Sequence, residues 1–190
     1  MGEHALKTNR NRRAVFLDRD GVINEAMVRE GKPYPPANSA ELKLLPGVVE
    51  ACRLLKAEGF HLVVVTNQPD VGRGTMEQKL VEEIHRKISE TLPIDRIEVC
   101  YDCEDSSEYR KPNPGMLKSA AAALDVDLAE SFMVGDRWRD VDCGHAAGCC
   151  TIFIDHGYSE PLRKSPDHRA KNLLEAARII VDVAATVSKE

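Results

Sequence analysis

Phe60-His61-Leu62-Val63-Val64-Val65 is an almost unbroken apolar, largely β-branched run that stops at Thr66-Asn67-Gln68. A strand with one wet face shows a polar residue at every second position. One without that alternation is buried on both faces, as in a parallel sheet. Parallel strands need long crossover connections, usually helices, and the flanking sequence supplies them. Upstream, Pro46-Gly47 opens a predicted helix to about Glu58, with Val48, Val49, Cys52, Leu54 and Leu55 in helical register and Gly59 as its stop. Downstream, a helix from about Met76 to Leu92 leads to a strand at Ile97 to Tyr101. The unit recurs as Gly115 to Leu124 with Phe132-Met133-Val134, and as Val141 to Ala147 with Thr151-Ile152-Phe153-Ile154. A last helix covers about Lys171 to Ser188. The alternation predicts an α/β fold, a parallel sheet with helices on both faces.

The first strand of that sheet is Ala14-Val15-Phe16-Leu17, which delivers Asp18-Arg19-Asp20 into a turn at Gly21-Val22. Two carboxylates one residue apart at a strand exit converge on the carboxyl edge, where open α/β sheets bind ligands. A calcium loop is excluded, because Ile23, Ala26 and Met27 follow where oxygen ligands belong and a strand, not a helix, precedes. From Asn24 to Leu45 the chain is rich in Pro, Gly and charge, including Lys32-Pro33-Tyr34-Pro35-Pro36, and reads as a loop over the site.

At 190 residues, with 43% hydrophobic and 30% charged content, the chain suits one globular domain, here residues 13–190 behind a basic arm at 1–12. No apolar stretch reaches membrane-spanning length, and the N-terminus lacks the apolar core of a signal peptide, so a cytoplasmic protein without a membrane partner is expected. The net charge of −5 argues against a general nucleic-acid binder. The six cysteines, Cys52, Cys100, Cys103, Cys143, Cys149 and Cys150, are expected as reduced thiols.

Strand and loop ends collect further chemistry: Thr66 and Asn67 after the second strand, Arg110-Lys111-Pro112 before a later helix, and Gly135-Asp136 after another strand. A phosphate monoester would use all of them. A carboxylate at Asp18 attacks phosphorus, Asp20 protonates the departing oxygen, and Thr66 with Lys111 holds the equatorial oxygens. Asp136 is left to help hold a hard cation such as Mg²⁺.

These elements, D-R-D-G-V, T-N, R-K-P and G-D-x-x-x-D in that order, resemble the four motifs of the haloacid dehalogenase (HAD) superfamily over roughly Ala14 to Gly157. The resemblance implies a HAD-like, Rossmann-like fold, with Asp18 as aspartyl-phosphate nucleophile and Mg²⁺ ligand. It makes Asp20 the general acid and then base, with its carbonyl on the metal, and Asp136 the outer ligand. Asp140 falls near the metal's second layer. Arg19, Asn67, Gln68 and Arg110 are implied as substrate contacts beside Asp18, Asp20, Thr66 and Lys111. The segments from Asp20 to Thr66 and from Asn67 to Arg110 are too short for a large cap domain, so the site is expected to be open.

The longer matches D-R-D-G-V-I-N, V-V-V-T-N-Q-P-D-V-G-R-G, R-K-P-N-P-G-M-L and F-M-V-G-D-R-W-R-D resemble the heptose-bisphosphate and histidinol-phosphate phosphatase branch. A small phosphorylated sugar is the implied substrate, with histidinol phosphate as the alternative. A non-catalytic phosphate-binding module is the reading from another class. The Gln68 to Gly74 loop is implied beside the sugar, and Arg29, Lys32 and Tyr34 are candidates for further contacts. The branch commonly carries a four-ligand zinc loop before R-K-P. Here Cys100-Tyr101-Asp102-Cys103-Glu104-Asp105-Ser106-Ser107-Glu108-Tyr109 keeps two cysteines and no histidine, so zinc is not expected and the loop must be held otherwise. A monomer is favoured.

Overall fold

The computed structural model describes residues 12–29 and 32–187, excluding the side chains of residues 28, 29, 32–34 and 187. The expected arm therefore lies outside the described residues except for Arg12, as do any contacts of the Arg29, Lys32 and Tyr34 side chains.

Six strands form one parallel sheet: β1 (Ala14–Leu17), β4 (His61–Asn67), β5 (Arg96–Cys100), β6 (Phe132–Gly135), β7 (Cys150–Ile154) and β8 (His168–Ala170), in the order β5-β4-β1-β6-β7-β8. The chain moves outward from β1 to β4 and β5, then returns to the other side of β1 for β6. Crossovers on either side of β1 leave a crevice at its carboxyl end. Asp18 follows β1 directly, and its N–H continues the ladder to Val134 O at 3.0 Å.

Side-chain alternation along β1 assigns the two faces. Val15 and Leu17 join a core with α1 (Val48–Ala57), α3 (Gln78–Thr91) and α6 (Leu173–Val187), through Leu55, Ile84 and Ile180 among others. Ala14 and Phe16 join a second core with α4 (Gly115–Leu124) and α5 (Trp138–Ala147), through Met116, Leu117 and Cys143. Each fully buried Val, Leu or Phe contributes roughly 1.5–3 kcal/mol, enough in sum to fix which edge carries the polar residues.

Three differences from the sequence reading concern small elements. The segment read wholly as loop contains an antiparallel ribbon of β2 (Met27–Arg29) and β3 (Lys32–Tyr34). Pro33 is tolerated there because both strands of a two-stranded ribbon are edges. A four-residue helix, α2 (Pro69–Gly72), follows Gln68, and β8 adds a short sheet edge that its His-Arg-Ala sequence does not advertise. α5 also starts earlier than predicted, at Trp138, because Asp140 caps it.

Candidate active site

The carboxyl ends of β1, β4 and β6 and the loop before α4 open on a cleft of about 360 Å³ lined by Asp18, Asp20, Thr66, Gln68, Arg110 and Lys111, among others. Lys111 is its anchor. The buried ammonium donates to Asp18 Oδ1 at 2.8 Å, Asp140 Oδ1 at 2.6 Å and the Val65 carbonyl at 2.8 Å, which uses all its protons. Burial acts to depress this amine, but Asp140 and Asp18 outweigh it and hold its pKa above the ordinary lysine value. Burial in turn pushes the Asp18 carboxyl up to about 6, against the pull of Lys111 and with Asp140 adding to the rise.

Two close approaches build the acidic end. A Cβ on Gly135 would lie 2.0 Å from Asp140 Cβ, so glycine at the end of β6 lets the first turn of α5 tuck Asp140 against the strand. Asp140 Oδ2 accepts from Arg137 N at 3.0 Å, capping the helix, while Oδ1 faces Lys111. Gly21, at φ +91°, faces Asp136. Asp18, Asp136 and Asp140 each present a carboxylate oxygen within 4.8 Å of the others. Both Asp136 oxygens are buried without a hydrogen-bond partner, and the Tyr158 hydroxyl faces them without forming a well-made bond. Burial, then Asp18 and Asp140, drive the Asp136 carboxyl well above the usual range. An orphaned buried carboxylate among other hard oxygens is the donor set a Mg²⁺ ion requires, and the residues fit that ion.

Asp20 turns away from this cluster. Its carboxylate accepts from Arg19 Nη2 at 2.9 Å, Asn24 Nδ2 at 2.9 Å and Gln68 Nε2 at 3.0 Å. Gln68 Nε2 also donates to Thr66 Oγ1 at 2.8 Å, tying the acid to the threonine at the β4 exit.

Two residues expected as substrate contacts have side chains engaged within the protein. Arg19 is 0% exposed, its guanidinium engaged with Asp20 and His85, so its side chain does not reach the cleft. Asn67 lines the cleft, but its carboxamide donates to Lys111 O and accepts from Lys111 N, both at 3.0 Å. It is a clamp on the lysine's main chain.

Arg137, Arg139 and Glu160 also line the cleft, beyond the residues expected from sequence. Arg137 and Arg139 flank Trp138 in the G-D-R-W-R-D run, a signal that was available. Arg137 pairs with Glu160 at 2.7 Å, and Arg139 with Asp105 at 3.0 Å. Tyr158 is brought in by the segment after β7, where His156 Nε2 donates to Gly21 O at 2.7 Å. No local pattern marks it. From the Gln68 to Gly74 loop, Gln68, Pro69, Asp70 and Arg73 reach the cleft.

The loop that keeps two cysteines is held by polar contacts. Arg110 Nε donates to Asp105 at 3.1 Å and its Nη1 to Asp102 O at 3.0 Å, while Asn113 Nδ2 donates to the carbonyls of Asp105 and Ser107. Cys103 Sγ donates to Pro69 O at 3.2 Å, and Cys100 is buried beside Ser107.

This arrangement, acids after β1 and β6 around a buried lysine at a parallel-sheet edge, is that of a HAD-like phosphatase, and a HAD-hydrolase-like family model matches residues 108–176. The chain belongs to the HAD-like hydrolases and, within them, to the family of D,D-heptose 1,7-bisphosphate phosphatases. It is 32% identical to D-glycero-D-manno-heptose-1,7-bisphosphate 7-phosphatase of Thermosynechococcus vestitus over 89% of this chain and 95% of that one. It is 37% identical to D-glycero-beta-D-manno-heptose-1,7-bisphosphate 7-phosphatase of Escherichia coli K12, over 93% of this chain and 94% of the relative. A crystal structure of D,D-heptose 1,7-bisphosphate phosphatase from B. bronchiseptica, complexed with magnesium and phosphate, superposes with a TM-score of 0.73 at 28% identity, covering 90% and 99% of the two chains. Among the described residues no helix is long and apolar enough to cross a membrane.

Proposed function

We propose that this chain hydrolyses the 7-phosphate of D-glycero-D-manno-heptose 1,7-bisphosphate through an aspartyl-phosphate on Asp18. The observation that carries the reading is the Asp18 carboxylate, held by Lys111 at 2.8 Å, beside a buried Asp136 carboxylate with no well-made hydrogen bond.

Asp18 attacks phosphorus in line as the ester P–O bond breaks, and Asp20 gives its proton to the departing sugar oxygen. A water then attacks the aspartyl-phosphate phosphorus, passing its proton to Asp20, and inorganic phosphate leaves with Asp18 restored. The Thr66 hydroxyl supplies a donor for the phosphoryl oxygens, while the Lys111 ammonium beside Asp18 and Arg110 at the cleft wall add positive charge. Asp18, Asp136 and the Asp20 carbonyl would hold Mg²⁺, which when bound screens the repulsion between Asp18 and a phosphate dianion. Zinc is not part of the reading, and residues 13–190 act as one cytoplasmic catalytic domain.

The test is Mg²⁺-dependent phosphate release from heptose 1,7-bisphosphate and from histidinol phosphate in parallel, with Asp18→Asn as control. Preference for the heptose is expected. Preference for histidinol phosphate would overturn the substrate and keep the chemistry. Failure to release phosphate from any monoester would leave a binding module.

A further inference from the structure

We infer that His85, on α3 behind the sheet edge, is a positioning residue for Asp20, acting through the buried guanidinium of Arg19. The inference rests on the phosphatase reading above, and concerns how the proton donor to the leaving oxygen is aimed.

Arg19 is 0% exposed, although it follows the nucleophile directly. Its guanidinium is planar, with five N–H donors in fixed directions. One edge addresses Asp20: Nε lies 3.3 and 3.2 Å from Oδ1 and Oδ2, and Nη2 lies 2.9 Å from Oδ2. The other nitrogen, Nη1, lies 3.1 Å from His85 Nε2. Since a guanidinium only donates, Nε2 must present its lone pair, so the imidazole is neutral with its proton on Nδ1. Burial, with the Arg19 cation adding, pushes this imidazole down to about 4, which agrees with that state.

The guanidinium is thus gripped at both ends. Without His85 it could swing about its side-chain torsions, and the edge that faces Asp20 would swing with it. Asn24 and Gln68 hold Asp20 from other sides, which leaves Arg19 as the charged contact whose direction depends on α3. Asp20 needs that aim because an alkoxide leaves poorly unless a proton reaches it as the bond breaks, and small misplacements of a catalytic group can lower rates up to about 10²-fold. His85 touches no reacting atom. The sequence hides it, since it lies on the buried stripe of an amphipathic helix 66 residues from Arg19.

The experiment compares His85→Leu and His85→Gln with the parent by kcat/KM on two monoesters in Mg²⁺. One is an alkyl phosphate such as glycerol phosphate, whose leaving oxygen needs a proton. The other is p-nitrophenyl phosphate, whose leaving group does not. kcat/KM reports the step in which the ester bond breaks, and the ratio of the two values within one variant cancels any loss of folded protein. For His85→Leu the alkyl value is expected to fall about tenfold with the aryl value nearly unchanged. His85→Gln, whose carbonyl can accept from Nη1, is expected to restore most of it. Equal loss on both esters, or no loss on either, would overturn the inference. A parent protein inactive on both esters and on heptose 1,7-bisphosphate would sink the phosphatase reading itself, and this inference with it.

Discussion

A Cβ placed on Gly21 would lie 1.9 Å from Oδ2 of Asp136. The turn after β1 and the acid after β6 therefore share one space, and only a residue without a side chain leaves room for both. The backbone at Gly21, φ +91°, is also one that other residues rarely adopt. Gly21→Ala is expected to displace Asp136 and to cost about 1–2 kcal/mol of stability. The increase in melting temperature on adding Mg²⁺ should disappear in this variant. An undiminished increase would show that Asp136 is not needed for the ion.

Lys111 balances buried carboxylates. Replacing it by Met leaves Asp18, Asp136 and Asp140 close together with no cation among them, and breaking such a buried pair costs about 3–5 kcal/mol. Urea denaturation of the metal-free protein should show a loss of that order, and Mg²⁺ should recover part of it. Asp18→Asn, by contrast, removes one of the crowded charges. It is expected to abolish turnover without comparable destabilisation.

The pH dependence follows from Asp18. Its carboxyl titrates near 6 in the folded chain, chiefly because of burial, against an ordinary 3.8. Between those values the folded state holds a proton that the unfolded chain has released, so the metal-free protein loses stability as pH rises through this window. Mg²⁺ needs the ionised carboxylates, and protons compete with it. The Mg²⁺-induced rise in melting temperature should be small near pH 5 and keep growing through pH 6 and beyond, because the Asp136 carboxyl is held well above its ordinary range too. A rise equal at pH 5 and pH 8 would contradict this account.

The loop before α4 is tied by Asp105, whose carboxylate pairs with both Arg110 and Arg139 at the cleft wall. Asp105→Ala frees two guanidiniums that face the ligand space. KM for the sugar phosphate is expected to rise several-fold with kcat nearly unchanged. A fall in kcat alone would place Asp105 in the chemistry instead. Because the loop is held by the protein's own groups, chelator treatment followed by Mg²⁺ alone should restore full activity; a further requirement for zinc would show that Cys100 and Cys103 hold a metal after all.

Much of this site was legible because chemistry sits where apolar runs stop. Asp18 after Leu17, Thr66 after Val65 and Asp136 after Gly135 could be read as strand exits, and a parallel sheet brings such exits to one edge. What the chain does not advertise is side-chain direction. Arg19 and Asn67 stand among residues that line the cleft, yet one turns beneath the turn and the other clasps the Lys111 backbone. Tyr158 and His85 reach the site from distant segments, through packing that no local spacing encodes. The β2–β3 ribbon and β8 were missed for a different reason. They are three-residue strands rich in polar residues and Pro, too short for any period to emerge.

The Asp105 clasp has an environmental corollary. A loop shaped by ion pairs on a half-open surface answers to the salt around it, since mobile ions weaken exposed pairs while leaving the buried Lys111 cluster largely untouched. Substrate grip should slacken in brine before the machinery behind it notices, so the strength of the surrounding electrolyte acts as a dial on selectivity rather than on turnover.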